Sequence, residues 1–275
     1  MQINSNSVLN QNVYLNANQA LNRIATGVEL NQSSDNASGL AIANNLLTQS
    51  NGYAQAIENT NSAIAATQIA SGATNEQSKI LDNVREKLLQ ASTDTTSQEG
   101  RDAILKDIKS QLEQFDKIAS STNYNGQTLL QKNETDSSAS DVQQYQSGLK
   151  GENLIETSAV QSNTTGLGLS DLVNQNASTF TSADARGFLE KIDTAVNGLN
   201  DIRSEIGAVQ NQLESSGRSL TMQNTNTLNA ASMFDTNYAK ESSNFSKQNI
   251  LAQIGAFGQA QANNINQQMV SRLLG

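Results

Sequence analysis

The sequence predicts a mainly α-helical protein: an elongated antiparallel helical bundle or coiled coil with a small β-hairpin region and paired N- and C-terminal helices. Its 275 residues contain no proline, so long helices meet no obligate breaker. Only 36% of the residues are hydrophobic and 4% aromatic, which suits a thin apolar seam better than a thick globular core. Apolar residues also recur every three or four positions over long stretches, as they do in helices.

Both ends of the chain are almost free of charge and show helical periodicity. Residues 1–57 carry three ionised side chains, and residues 242–275 carry two. The apolar positions at helical spacing are Val8, Leu9, Val13 and Leu21 at the start, and Ile250, Leu251, Ile254, Phe257, Met269 and Leu273 at the end. One helix alone cannot bury such a stripe, so the stripes predict pairing with each other or with copies from other chains. Disordered tails rich in Asn and Gln are the alternative.

A polar, glycine-marked joint interrupts the helical pattern at residues 23–39. Its characteristic residues are Arg23, Gly27, Asn31, Asp35 and Gly39. Glycine and asparagine let the backbone leave one helix and enter the next, and we expect Ser34 or Asp35 to be the N-cap of that next helix. A plain loop between helices is the alternative interpretation.

Three long helices are predicted between the ends, over residues 36–92, 101–122 and 183–232. In the last of them, apolar residues from Phe188 to Leu213 are spaced alternately by four and three positions, as in a coiled coil or bundle helix. The seams expected in the first two are Ile57, Ile64, Ala73, Ile80, Val84, Leu88 and Ala91, and then Ile104, Ile108, Leu112, Phe115 and Ile118. The segment between these two helices contains Thr96 and Glu99, which are spaced as a capping box.

Residues 123–180 lose the helical period and gain Ser, Thr, Asn and Gly. The Asn-Gly dipeptide at 125–126 signals a turn, and glycines flank short runs that favour β-structure. We expect one or two hairpins, with strands near 125–131, 142–147 and 153–160. A disordered linker is the alternative for residues 132–141.

The composition excludes several classes of function. Without His or Cys the chain can have no thiol nucleophile, no zinc site of the usual kinds and no disulfide. A net charge of −9 argues against a nucleic-acid partner, and no run of 18 apolar residues is present to insert into a membrane. The first residues also lack the basic and apolar regions of a cleaved signal peptide. We therefore expect no enzyme, no metal and no cofactor.

Several motifs, in this order, resemble those of bacterial flagellin. At the N-terminal side, residues 21–27 (LNRIATG) and 31–42 (NQSSDNASGLAI) are similar to the family patterns Leu-x-Arg-Leu-Ser-Ser-Gly and Asn-Ser-Ala-x-Asp-Asp-Ala-Ala-Gly-Leu-Ala-Ile. Further on, residues 122–130 (TNYNGQTLL), 199–215 (LNDIRSEIGAVQNQLES) and 232–263, which include ILAQIGAFGQAQAN, resemble three other family stretches. The chain departs from the family at Asn36 and Asn237, where Asp is usual, and it has no room for outer variable domains.

The resemblance implies a structural subunit that polymerises head to tail into the bacterial flagellar filament used for motility. Residues 1–33 and 236–275 would form the inner terminal-helix coiled-coil domain, and residues 34–235 the helical bundle domain with its β-hairpin region at about 123–180. The ten apolar stripe residues named above would then be subunit contacts. A hook–filament junction protein (a flagellar hook-associated protein) and a secreted helical adhesin are the alternatives.

The resemblance also implies the location and the partners of the chain. We expect an extracellular filament whose subunits are exported without a cleaved signal peptide, through the flagellar export apparatus and with an export chaperone. Hook-associated and cap proteins are further expected partners. Arg85 and Glu86 are similar to part of a stretch that an animal innate immune receptor recognises in many flagellins. Lys87 replaces a leucine there, so we expect weak or absent receptor activation.

Overall fold

The computed structural model describes the backbone of residues 3–274 and the side chains of residues 11–261, 264 and 268. The helices are α1 (Ile3–Thr26), α2 (Ser33–Ala91), α3 (Gln98–Ser121), α4 (Ser170–Asn174), α5 (Ser182–Ala231) and α6 (Tyr238–Leu274). Short 3-10 helices lie at Ala177–Thr179 and Ser232–Phe234, and the strands are β1 (Asn123–Tyr124), β2 (Gln127–Thr128), β3 (Gln144–Gln146) and β4 (Leu154–Glu156). The predicted mainly α class is confirmed, and α2, α3 and α5 correspond to the three predicted long helices.

The chain divides into two compact units. Unit 1 comprises Met1–Asn51 and Asn224–Gly275, and unit 2 comprises Gly52–Gln223. Both α2 and α5 contribute to each unit. Within the residues that the structure describes, no helix is long and apolar enough to cross a membrane.

The buried seam of α2 in unit 2 differs from the predicted one. The seam consists of buried positions spaced alternately by four and three: Ala56, Thr60, Ala63, Thr67, Ala70, Thr74, Gln77, Leu81, Val84, Leu88 and Ala91; Ala66 is also buried, next to this seam. Ile57, Ile64 and Ile80 lie beside this seam and are only half-buried, as is Ala73. The predicted seam is confirmed at Val84, Leu88 and Ala91. It was wrong before them because it assigned the seam mainly to isoleucines, whereas small seam residues let two helix backbones approach closely. The threonine hydroxyls bond to carbonyls of their own helix, as Thr60 does to Ala56 at 2.8 Å.

The largest hydrophobic cluster joins α2, α3 and α5. In α3 the buried residues are Leu105, Ile108, Leu112, Phe115 and Ala119. Ile104 and Ile118, which were predicted for that seam, are half-buried at its edge. In α5 the predicted apolar residues from Phe188 to Leu213 are buried except for Ile202, which is half-buried. The α5 seam is therefore confirmed, and the α3 seam is shifted by one residue at each end.

The start of α3 is capped by a different residue from the one predicted. Ser97 is the N-cap, and its hydroxyl accepts a hydrogen bond from the Gly100 amide at 3.1 Å. The Thr96 hydroxyl instead donates to the Gln90 carbonyl at 2.9 Å. The predicted capping box at Thr96 is therefore wrong, because α3 begins one residue later than that box requires.

Two small hairpins follow α3. In the first, β1 pairs antiparallel with β2, and Asn125 and Gly126 form the turn with φ angles of 52° and 81°. Strand β2 lies inside the predicted segment 125–131, but Asn125 and Gly126 are not part of it, because two successive left-handed residues make a tight turn, and β1 precedes the predicted segment. In the second hairpin β3 pairs with β4, inside the predicted segments 142–147 and 153–160.

A buried polar cluster attaches the segment after these hairpins to the helices of unit 2. The Gln77 amide nitrogen donates to the carbonyls of Phe115 (3.1 Å) and Ser162 (2.6 Å), and its oxygen accepts from the Ser162 hydroxyl (2.5 Å). The Asp116 carboxylate accepts from the amide and the hydroxyl of Thr164, both at 2.7 Å. Gln77 and Ser162 have no exposed surface. Hydrogen bonds from α2 and α3 therefore hold residues 162–164 against the helices, and each buried polar group named here has a partner.

Candidate assembly site on the terminal helices

The N- and C-terminal helices pack against each other within unit 1, as predicted. The hydrophobic side chains buried in the described parts of α1 and α6 are all small: Ala17, Ala20 and Ala252. Alanine allows the two helices to approach closely, but it buries little apolar surface. In the described parts of α1 and α6, no large hydrophobic side chain is therefore fully buried by the pairing.

The described part of α6 places polar and small residues on its inner side and large apolar residues on its outer side. The buried and half-buried positions are Glu241, Asn244, Phe245, Gln248, Ala252, Gly255 and Gln259, which recur at helical spacing. We call Ile250, Leu251, Ile254 and Phe257 the outer face; their exposed fractions are 56%, 41%, 61% and 79%. Phe245 is the one large apolar residue among the inner positions, and it is half-buried. Most of the predicted C-terminal stripe is thus turned to solvent.

The predicted contact residues of α1 are divided between its two sides. Val13 is half-buried, whereas Leu21 is 48% exposed and has Tyr14 and Leu15 as exposed neighbours on the helix. The side chains of Val8, Leu9, Met269 and Leu273 lie outside the described residues. Of the ten predicted contacts, five are therefore exposed in unit 1: Leu21, Ile250, Leu251, Ile254 and Phe257.

The joint that follows α1 pairs with the segment that precedes α6. Gly27 adopts a φ of 74°, and its amide donates to the Arg23 carbonyl at 2.9 Å, which ends α1 in a left-handed cap. The Thr236 amide then donates to the Gly27 carbonyl at 2.9 Å. Val28 and Asp235 form an antiparallel bridge beside it. The two chain segments that leave the terminal helices are therefore hydrogen-bonded to each other.

A kink at Asn36 separates the first turn of α2, which begins at Ser33, from the long helix that follows. That long helix is capped by Asn36 and not by Ser34 or Asp35. Asn36 has non-helical angles (φ −166°, ψ 98°), and its side-chain oxygen accepts from the Gly39 amide at 2.9 Å. The Asp35 carboxylate accepts instead from the amides of Asn31 (3.2 Å) and Gln32 (3.1 Å), which precede it. The predicted cap is wrong because Asp35 faces back into the joint, so that the next residue must provide the cap.

Gly39 is in tight contact inside this joint. It is buried, and a β-carbon built on it would lie 2.7 Å from Leu30 Cδ1. The Asn31 side chain donates to the Val28 carbonyl at 2.9 Å. Gly27, Asn31, Asp35 and Gly39 are thus brought together in one turn structure, each with a specific backbone role.

Arg23, the remaining joint residue, forms an ion pair with a residue that the sequence analysis did not single out. Its guanidinium lies 3.5 Å from the carboxylate of Glu241, which is 4% exposed. Asn237 begins α6, and its side-chain oxygen accepts from the Lys240 amide at 3.1 Å. Asn237 is a favoured N-cap residue and Glu241 is an acidic residue in the first turn of α6, a pattern that sequence alone could have shown. No sequence signal links Arg23 to Glu241, because the two residues are far apart in the chain.

Arg85 and Glu86 lie on α2 in unit 2, both exposed. The Arg85 guanidinium donates to the Asp193 carboxylate at 2.7 Å, and this hydrogen bond and the charge of Asp193 raise the pKa of Arg85 above its ordinary value. Lys87 is paired with Asp107.

Among the described residues, no group of three or more acidic side chains is placed to hold a metal ion.

Comparison with known proteins identifies the family of the chain. Residues 1–135 match the family model described as the bacterial flagellin N-terminal helical region, and residues 189–274 match the C-terminal helical region. The chain is 30% identical to the flagellin of Halalkalibacterium halodurans over 94% of its own length and 92% of that protein's. It is 29% identical to the flagellin of Bacillus subtilis over 99% and 100% of the two lengths.

The fold agrees with these matches. The crystal structure of Bacillus cereus flagellin is similar with a TM-score of 0.52 and 26% sequence identity, covering 63% of this chain and 94% of that one. Because the two relatives named above are flagellins that match over more than nine-tenths of both lengths, the hook–filament junction and adhesin alternatives are not favoured. The chain therefore belongs to the bacterial flagellin family, in a short form, and is a structural subunit of a flagellar filament.

Proposed function

We propose that the outer face of α6, together with Leu21 of α1, is the surface through which subunits contact one another in the filament. One observation carries this proposal: in the described part of α6 the inner positions are mostly polar or small, whereas Ile250, Leu251, Ile254 and Phe257 face outward, as Leu21 does on α1. A fully buried Ile, Leu or Phe side chain contributes about 1.5–3 kcal/mol. Covering the exposed fractions of these four α6 residues would therefore contribute roughly 4–7 kcal/mol per subunit.

The domain organisation follows from the same surface. Residues 1–33 and 236–275 would form the inner coiled-coil domain of the filament, and residues 34–235 the surrounding bundle domain with its β-hairpin region at 123–180. The near absence of charge at both ends supports this arrangement, because burying like charges between identical subunits is costly. Contacts that repeat head to tail without closing generate a helical filament.

The exposed outer face is also a reason to expect that other proteins cover the subunit before it assembles. An isolated subunit would present these side chains to water, where they favour aggregation. A chaperone that covers α6 and an export apparatus that delivers the chain to a capped, hook-anchored filament outside the cell would prevent this. In this proposal the role of the chain is structural and not catalytic.

The variant Ile254→Asp tests the assembly surface. A carboxylate at this position would have to be buried without a partner in the filament, at a cost of several kcal/mol, so we expect no filaments while the subunit keeps its helical content. Polymerisation would be followed by sedimentation and negative-stain microscopy, and helicity by circular dichroism.

Two further variants control this experiment. Ile254→Leu keeps the apolar surface and should polymerise normally, whereas Phe257→Asp, one turn further along the outer face, should fail as Ile254→Asp does. Filaments of normal length and yield from Ile254→Asp and Phe257→Asp would contradict the proposed surface.

A further inference from the structure

Three Asn-Gly dipeptides occur in the chain, at 51–52, 125–126 and 197–198. In such a dipeptide the glycine backbone nitrogen can reach the asparagine side-chain carbonyl, because glycine has no β-carbon to obstruct a close approach. We propose that Asn125 is a site of spontaneous hydrolytic deamidation in the folded protein, and that the fold protects the other two asparagines.

The surroundings of Asn125 leave it open to reaction. Asn125 and Gly126 are both exposed and form the turn between β1 and β2. No hydrogen bond among the described residues involves the Asn125 side chain, and no heavy atom of another part of the chain lies within 4 Å of a β-carbon built on Gly126. This hairpin is held by the pairs Asn123–Thr128 and Tyr124–Gln127 and by the hydrogen bond from the Leu129 amide to the Thr122 carbonyl (3.0 Å), and none of these involves the backbone of Asn125 or Gly126. The backbone rotation that the attack requires therefore costs little.

The other two dipeptides lie inside long helices. Asn51 and Gly52 are in α2, and Asn197 and Gly198 are in α5. In a helix interior the glycine N–H donates to the carbonyl four residues before it, and rotating the backbone breaks several such bonds. Gly198 is also in contact with the segment before α4, since a β-carbon there would lie 3.2 Å from Leu167 Cδ2. Reaction at these sites requires local unfolding of a packed helix.

The chemistry needs only water. The Gly126 amide nitrogen gives its proton to solvent base and forms a bond to Cγ of Asn125. The bond from Cγ to the side-chain nitrogen breaks, and that nitrogen leaves as ammonia after taking a proton from solvent. Water then adds to either carbonyl of the resulting cyclic imide and opens the ring, which yields aspartate or isoaspartate without any change in oxidation state.

The two products differ in their effect on the hairpin. Aspartate tolerates the left-handed conformation that Asn125 adopts, so the turn can persist with one more negative charge. Isoaspartate inserts an extra carbon into the backbone, which breaks the two-residue turn. Leu129 and Leu130 are buried immediately after β2, so this change acts next to the core.

The test follows the three asparagines in one sample. The purified full chain is kept as a monomer in mildly alkaline buffer, and peptide mass spectrometry measures conversion of amide to acid over time. In the folded protein we expect Asn125 to react about tenfold or more faster than Asn197 and Asn51, and in concentrated urea we expect the three rates to converge. Equal rates in the folded protein would overturn the proposal, as would a preference for Asn125 that persists in urea.

Two matched variants test the assignment of the site. Enzymatic methyl labelling of isoaspartate should give a signal in the aged wild-type chain. Asn125→Gln should abolish this signal, because the longer side chain forms the cyclic imide far more slowly, and Asn197→Gln should leave it unchanged. Retention of the signal in Asn125→Gln would refute the site.

Discussion

Replacing Gln77 with leucine tests how the segment after the hairpins is attached to the bundle. Gln77 lies in the buried seam of α2, and all three of its described side-chain hydrogen bonds go to Phe115 and Ser162. The change Gln77→Leu approximately keeps the side-chain volume and removes both polar groups. The Ser162 amide also donates to the Leu130 carbonyl at 2.9 Å, so the perturbation acts where two loop segments meet the helices.

The expected cost comes mainly from Ser162. Its carbonyl loses a donor and its hydroxyl loses an acceptor, and each unsatisfied buried polar group costs about 1–3 kcal/mol. The Phe115 carbonyl keeps its hydrogen bond within α3 and adds little. Burying the leucine in place of the amide returns about 1–2 kcal/mol. The two losses together cost about 2–6 kcal/mol, so after the return from leucine we expect Gln77→Leu to lower the free energy of unfolding of unit 2 by about 2–3 kcal/mol, the middle of the resulting range.

Urea denaturation of the monomeric chain, followed by far-UV circular dichroism, measures this difference. Gln68→Leu is the matched control, because Gln68 lies on the same helix and is exposed. We expect this control to change the unfolding free energy by no more than about 0.5 kcal/mol. If Gln77→Leu were as mild as Gln68→Leu, the buried polar cluster would not hold the segment and the reasoning would be refuted.

Two other predictions concern the joint and the start of α5. Gly27→Ala places a side chain at φ 74° and should destabilise the α1–α6 pair by about 1–2 kcal/mol in thermal unfolding, whereas Gly258→Ala, in open space on α6, should not. The Asp184 carboxylate accepts from the Thr181 hydroxyl and amide, which lowers its pKa below the ordinary 3.8. Its stabilising contribution is therefore present above that pH and lost as the pH falls through the lowered pKa. Asp184→Asn should flatten the pH dependence of Tm in this acidic range, and an unchanged profile would contradict the assignment.

The N-cap after the joint was predicted to within two residues but not at the correct residue. Ser34 and Asp35 were reasonable candidates by composition, but the structure uses Asn36, because Asp35 is engaged by the amides of Asn31 and Gln32. Ser, Asp and Asn are all favoured at an N-cap, so the residue types of Ser34, Asp35 and Asn36 do not distinguish between these positions. The choice between adjacent candidates depends on the path of the joint, which the segment before α6 helps to hold.

Patterns along the chain were sufficient to predict the helical class, the approximate bounds of α2, α3 and α5, and the resemblance to flagellin. These follow from local information: apolar spacing, the absence of proline and motifs that occupy consecutive positions. Contacts between distant parts of the chain were needed to establish which side of α6 faces α1, that alanine and threonine form the α2 seam from Ala56 to Thr74, and that Gln77 bonds to Ser162. Burial is a property of two surfaces in contact, so the periodicity of one helix shows that a face exists and its partner determines which face is covered.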